Sequence, residues 1–199
     1  MLRYALAAVA FFGATLALGV ATREPSAPGI DAAAQRAFYG RGTALAWIFT
    51  SSGYAPALLG IYLALGVIAF AFHGSWISLA ALAATQLLSQ ASAKRLKAFF
   101  KRLRPEKWLR RQELDASFPS GHAATAAVTF AGIVVVIFRS NLPEDAKLAA
   151  GALPAIFVAG IGWSRIALGA HHLSDVLGGY ALGAAWLCAL LAALALYGV

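Results

Sequence analysis

Apolar residues run almost unbroken along this chain, and its few charges gather in short blocks between the runs. From Tyr4 to Thr22 there is no charge in 19 residues, close to the roughly 20 that a helix needs to cross a bilayer. From Gly42 to Ala93 there is none in 52, room for two crossings joined by a turn near His73, Gly74 and Ser75. His122–Phe138, Leu148–Trp163 and Val176–Val199 supply three more. The runs are long, rich in Ala and Leu, and lack strict alternation, so they read as helices rather than strands. The pattern predicts an all-α fold: a single integral membrane domain over residues 1–199, built as a six-transmembrane-helix bundle.

Composition agrees. Charged residues are 12% of the chain and apolar residues 61%, against roughly 25% charged in a soluble domain. Met1-Leu2-Arg3 ahead of the first run also has the character of a secretory signal, but the run is long and lacks a clean Ala-x-Ala exit, so a retained first helix is expected. The single cysteine, Cys188, excludes an internal disulfide and any multi-cysteine metal site. A net charge of +8 in so apolar a chain points to anionic lipid or phosphate rather than nucleic acid.

The positive charge is concentrated. Nine of the sixteen Lys and Arg residues fall between Lys94 and Arg111: Lys94, Arg95, Lys97, Lys101, Arg102, Arg104, Lys107, Arg110 and Arg111, with Phe99, Phe100 and Trp108 among them. Part of this block suits a basic helix lying against head groups. Lys97, Lys101 and Arg104 are spaced by four and three, which on a helix puts them on one face, ahead of a stop at Pro105. Six spans would place segments 23–41, 94–118 and 164–175 on one side of the membrane, so every stretch with chemical promise faces the same water.

Two constellations carry that promise. Pro119-Ser120-Gly121-His122 stands where a polar loop meets the fourth span, and the free N–H groups of a helix start there form an anion site. Ser164-Arg165 follows the fifth span, and His171, His172 and Asp175 lead into the sixth. Four-residue spacing lets the Asp175 carboxylate lie beside His171, fixing one ring nitrogen and freeing the other as a nucleophile or base. His122, His171, His172 and Asp175 could also ligate zinc, but the surrounding cations favour an anion.

Lys97 with Arg104-Pro105, then Pro119-Ser120-Gly121-His122, then Ser164-Arg165 with His171 and Asp175, resemble the three signature motifs of the type 2 phosphatidic acid phosphatase superfamily, in order and at the family spacing. The resemblance implies a membrane lipid phosphatase working through a phosphohistidine. It implies that His171 attacks phosphorus, Asp175 orients it, and His122 protonates the departing oxygen. Lys97, Arg104, Ser120, Gly121 and Arg165 would hold the phosphate, with no metal or other cofactor. The remaining basic residues, His172 and Lys101 lie outside the signature and take no catalytic role.

Competing readings keep or discard this site. A lipid hydroxyl in place of water would make a phosphotransferase; vanadium haloperoxidases share the signature but resemble larger soluble proteins; an anion transporter would need cations without a His–Asp pair. The expected substrate is a membrane lipid phosphate, either a prenyl diphosphate or a glycerophospholipid phosphate. Segment 23–41, with Pro25, Pro28, Arg36 and Arg41, is expected as a lid or interfacial helix beside the site. Thirteen Lys and Arg on the site side against three opposite would place that side in the cytoplasm. Resemblance to bacterial members instead favours an inner-membrane protein whose site faces the periplasm or outside. Gly179 and Gly183 have the spacing of close helix packing, expected within one chain of a monomer.

Overall fold

The computed structural model describes residues 1–23, 29–71, 75–106, 113–139 and 142–196. Pro25, Pro28, His73, Gly74, Lys107, Trp108, Arg110 and Arg111, singled out above, lie outside the described residues. Among the described residues there are eight helices and no strand: α1 (Leu2–Ala21), α2 (Gly29–Phe38), α3 (Thr43–Ser52), α4 (Ala55–Ala71), α5 (Trp76–Phe100), α6 (Gly121–Arg139), α7 (Glu144–Ala167) and α8 (Leu173–Leu196). Four of them, α1, α6, α7 and α8, are long and apolar enough to cross a membrane. The bent pair α3 and α4, meeting at 58°, makes a fifth candidate if it counts as one span. Helix α5 has 25 residues, but Thr85, Gln86, Ser89 and Gln90 interrupt its apolar run.

Helices α6 and α8 form the centre, and small residues let them touch. A Cβ added at Gly183 would lie 2.5 Å from the Ala127 Cβ and 2.6 Å from the Ala124 carbonyl oxygen. One added at Gly179 would lie 2.4 Å from the Ser120 carbonyl oxygen. The Gly179–Gly183 spacing thus serves helix approach inside the chain. Helix α1 lies near α8, with the Thr15 hydroxyl 3.5 Å from the Gly178 carbonyl, and Gly19 makes room for the Phe100 ring. Phe130 of α6 stacks on Phe157 of α7 with centroids 5.1 Å apart, and Phe49 of α3 meets Phe157 edge-on. Helix α4 buries no residue; its Leu59, Leu63, Val67 and Phe70 are exposed, as lipid-facing side chains would be.

Polar residues cross the α5–α6 interface as a ladder. The Gln86 amide donates to the Thr125 hydroxyl at 2.9 Å, and Thr129 donates to Gln86 Oε1 at 3.3 Å. The Gln90 amide donates to Thr125 at 2.6 Å and to the Gly121 carbonyl at 3.0 Å. Tyr62 of α4 reaches Thr129 at 3.3 Å. Each buried amide has a partner, as an apolar surrounding requires.

One expectation is corrected here. Lys97, Lys101 and Arg104 do not share a helix face, because α5 ends at Phe100 and Lys101 caps it in the left-handed region at φ 50°. The chain therefore leaves the helix axis before Arg104, four residues ahead of the stop expected from Pro105. Within segment 23–41, expected as a lid or interfacial helix beside the site, residues Gly29–Phe38 form the short helix α2. Asp31, on its first turn, is fully buried and accepts hydrogen bonds from Arg102 and from the Ser174 N–H and hydroxyl.

Candidate active site

The turn after α7 sets the position of His171. Gly169 stands at φ 73°, the left-handed conformation that glycine adopts without a Cβ clash. Its N–H donates to the Ile166 carbonyl, and the Ala170 N–H donates to the Arg165 carbonyl, each at 2.9 Å. This is the paired bonding of a Schellman motif. The His171 N–H also reaches the Arg165 carbonyl, at 3.1 Å. Four residues after His171, Asp175 bends back in the first turn of α8 and accepts from the His172 N–H at 2.8 Å, in the manner of a capping box. The backbone alone thus brings Arg165, His171 and Asp175 together.

Side chains complete the alignment. His171 is buried. Its Nδ1 lies 3.5 Å from Asp175 Oδ2 and 3.4 Å from the Ser117 hydroxyl, while its Nε2 lies 3.2 Å from Arg104 Nη1. Ser117 donates to Asp175 Oδ2 at 2.5 Å. Burial pushes the His171 imidazole down to about 3, against the upward pull of Asp175, so the ring is neutral at pH 7. A neutral ring facing a carboxylate at Nδ1 and a guanidinium at Nε2 is best read as the Nδ1–H tautomer, with its lone pair on Nε2.

His171 helps to line a cavity of about 1070 Å³ whose walls also include Lys97, Arg104, Gly121 and His122. Lys97 donates to Asp115 at 2.7 Å. Arg104 pairs with Glu113 at 2.7 Å, pairs with Asp115, and donates to the Ala170 carbonyl at 2.9 Å. Arg165 lies fully buried behind the wall, donating to Thr50 at 2.6 Å and to Glu113 at 2.8 Å. Burial pushes Glu113 and Asp115 upward, but the cations beside them, Arg165 and Arg104 for Glu113 and Lys97 and Arg104 for Asp115, hold both below the usual carboxylate range. Two carboxylates thus sit on the three cations that the motifs marked for phosphate.

His122 stands in the first turn of α6, its ring edge-on to Tyr54 with centroids 4.7 Å apart. Its Nε2 is buried and has no hydrogen-bond partner among the described residues. Ser120 is placed differently from the expectation. It is fully buried, its hydroxyl accepts from the Ala123 N–H at 3.4 Å as a helix cap, and it is not among the residues of the cavity wall. Gly121 does line the cavity. Among the described residues no group of three or more His, Cys, Asp or Glu is arranged to hold a metal ion.

The sequence description of the PAP2 superfamily matches residues 74–196, well over half of the chain. The chain belongs to the PAP2 superfamily. A phosphatidylglycerophosphatase B of Bacillus subtilis (strain 168) is 30% identical over 142 residues, which span 67% of this chain and 66% of that relative. The fold is similar to the crystal structure of a transmembrane PAP2-type phosphatidylglycerolphosphate phosphatase from Bacillus subtilis. The TM-score is 0.80 at 25% identity, covering 93% of this chain and 94% of that one.

The PAP2 signature does not include everything that touches its reacting groups here. Arg102 donates to Asp175 Oδ1 at 2.5 Å and to Asp31 Oδ2 at 2.8 Å. Ser117, Glu113, Asp115 and Thr50 also contact signature side chains. Arg102 is one of nine cations in a single block, with nothing in its spacing to separate it from the other eight. Asp31 carried a faint signal, being one of only eight acidic residues and flanked by apolar positions. The Gln35 amide of the same helix donates to the His171 carbonyl at 3.0 Å.

Proposed function

We propose that this protein is an integral membrane lipid phosphatase that hydrolyses a lipid phosphomonoester or diphosphate through a phosphohistidine on His171, without a metal. One observation carries the reading: a buried, neutral His171 has Nδ1 toward Asp175 and Nε2 beside Arg104, in the wall of a cavity that also carries Lys97. Phosphoryl transfer asks of a protein mainly positioning and charge stabilisation, and Lys97, Arg104 and Arg165 supply the charge.

In this mechanism substrate phosphate displaces Glu113 and Asp115 from those cations, and Arg104 turns from Nε2 to a phosphate oxygen. The Nε2 lone pair forms the N–P bond as the bond from phosphorus to the leaving oxygen breaks, and His122 gives that oxygen a proton. Water then attacks phosphorus and returns its proton to His122. The N–P bond breaks with its electrons going back to Nε2. The Gly121 N–H adds a donor at the helix start, while Ser120 supports it as a cap.

The substrate is read as a glycerophospholipid phosphate with a terminal phosphomonoester, in keeping with the names of both relatives. Lys94 and Lys101 add charge to the cavity wall without an acidic partner among the described residues. The α3–α4 pair and α5 would each cross the bilayer once, which with α1, α6, α7 and α8 makes six spans. The protein is read as a monomer of a bacterial inner membrane, its site on the outer face.

The test is phosphate release in detergent, with EDTA present, from phosphatidylglycerophosphate, phosphatidic acid and a prenyl diphosphate, by wild type and His171→Ala. Wild type is expected to release phosphate, fastest from phosphatidylglycerophosphate, and the variant to lose at least about 100-fold in rate. Equal turnover by the variant would exclude His171 as nucleophile. Activity abolished by EDTA would exclude the metal-free reading.

A further inference from the structure

Outside the signature motifs, a buried chain of charge runs from the N-terminal region to the back of the nucleophile. Asp31 Oδ2 accepts from Arg102 Nη2 at 2.8 Å, and Arg102 Nη1 donates to Asp175 Oδ1 at 2.5 Å. The other Asp175 oxygen, Oδ2, takes Ser117 and the His172 N–H and faces His171 Nδ1. Asp31, Arg102 and Asp175 are all buried. Ser174 ties the chain together by bonding to both Asp31 and Arg102.

We propose that Asp31 and Arg102 are a positioning pair that fixes the plane of the Asp175 carboxylate and keeps its negative charge available to His171. The role rests on the phosphohistidine reading above. The argument is one of charge. When Nε2 bonds to phosphorus while Nδ1 keeps its proton, the ring becomes cationic and needs an anion behind it. Arg102 with Asp175 alone is a neutral pair, which offers a buried cation little. Asp31 brings the trio to a net charge of −1, matching the +1 that forms on the ring. A buried ion group adds little to stability compared with apolar packing, whereas this one touches the carboxylate on which the nucleophile depends.

Orientation adds to charge. Arg102 holds Oδ1 while Ser117 and the His172 N–H hold Oδ2, so the carboxylate cannot rotate away from Nδ1. Helix α2 grips both ends of the turn carrying His171, through Gln35 on the His171 carbonyl and Asp31 on the Ser174 N–H. The N-terminal region therefore completes a site whose reacting groups all come from 97–175.

The experiment is Asp31→Asn in the full chain, which keeps the side-chain shape and an acceptor for the Ser174 N–H while removing the charge. Phosphate release from phosphatidylglycerophosphate, inhibition by inorganic phosphate and thermal unfolding are measured on wild type, Asp31→Asn, Asp31→Glu and His171→Ala. The expected result is a fall in kcat of about 10- to 100-fold, the range typical when an outer partner of a reacting group is lost. KM and phosphate inhibition should stay unchanged, and Asp31→Glu should recover part of the rate. Unchanged kcat in Asp31→Asn, with wild type active and His171→Ala inactive, would overturn the positioning role and leave His171 as nucleophile. A loss of kcat that tracks lowered thermal stability and is not relieved in Asp31→Glu would likewise overturn it, as a purely structural ion. Absence of phosphate release by wild type would remove the phosphatase reading itself, and this role with it.

Discussion

In the mechanism proposed above, Glu113 and Asp115 occupy the cations that substrate phosphate reaches, so neutralising them should tighten substrate binding. The perturbation is the double substitution Glu113→Gln and Asp115→Asn, which keeps shape and removes two negative charges. Four ion pairs are at stake: Lys97–Asp115, Arg104–Asp115, Arg104–Glu113 and Arg165–Glu113. Asp115 is 55% exposed and Glu113 31% exposed, so solvent screens them. Pairs of that kind contribute about 0.2–1 kcal/mol each. Releasing all four lowers the cost of substrate entry by about 1–4 kcal/mol, or roughly 5- to 1000-fold in KM. Both carboxylates are held below their usual range, so the competition is at full strength at pH 7. The assay is the initial rate of phosphate release against lipid concentration in mixed micelles, with the inhibition constant of inorganic phosphate as a second measure of the cradle. A KM that is unchanged or higher would refute the reasoning, since it would mean that the carboxylates order the cations instead of competing for them.

Other outcomes follow from packing and protonation. Gly183→Leu should destabilise the α6–α8 contact by about 1–3 kcal/mol, the usual cost of overpacking, because the added Cβ meets the Ala124 carbonyl; Gly60→Ala, with nothing within 4 Å of its added Cβ, should not lower the melting temperature in detergent. The His171 pKa is about 3 in the folded chain and about 6.5 unfolded, so its linked stability is complete above pH 6.5 and drains as pH falls toward 3. Wild type should therefore lose more stability than His171→Asn as pH falls below 6.5, by about 1 kcal/mol per pH unit, measured by denaturation in detergent between pH 6.5 and 5.5; parallel losses in the two proteins would refute that.

Long-range order in this chain was legible where physics is local. The uncharged runs announced helices because a bilayer tolerates little else, and the His171–Asp175 spacing announced a contact that one turn of backbone can deliver. Lys97, Arg104, His122 and His171 do converge on one cavity, as their motifs suggested. Misplacements came where a local rule met a tertiary contact. Lys101 has no intrinsic reason to adopt a left-handed conformation, and the helix was therefore carried too far. Ser120 was expected to face phosphate, but the close approach of Gly179 to its carbonyl leaves its hydroxyl as a cap. Asp31 lies more than 70 residues from Arg102 and 140 from Asp175, and no spacing rule connects such distances. The break between α3 and α4 falls at Ser51-Ser52-Gly53, polar and glycine positions inside an uncharged stretch, which a reading by charge alone passes over.

The ladder between α5 and α6 bears on how the chain enters its membrane. Gln86 and Gln90 find their partners on Thr125, Thr129 and Gly121, which lie later in the sequence and are synthesised afterwards. Until α6 emerges, those amides have no partner in hydrocarbon, where an unsatisfied polar group costs several kcal/mol. In the proposed six-span topology α5 is thus a dependent segment: it would wait at the interface or in the insertion channel and pass into lipid together with α6, as a hairpin already bonded across its inner face. In that topology the same event would carry Lys97 and His122, on opposite arms of the hairpin, to one membrane surface, so the cavity that both residues line would begin to form in the act of insertion.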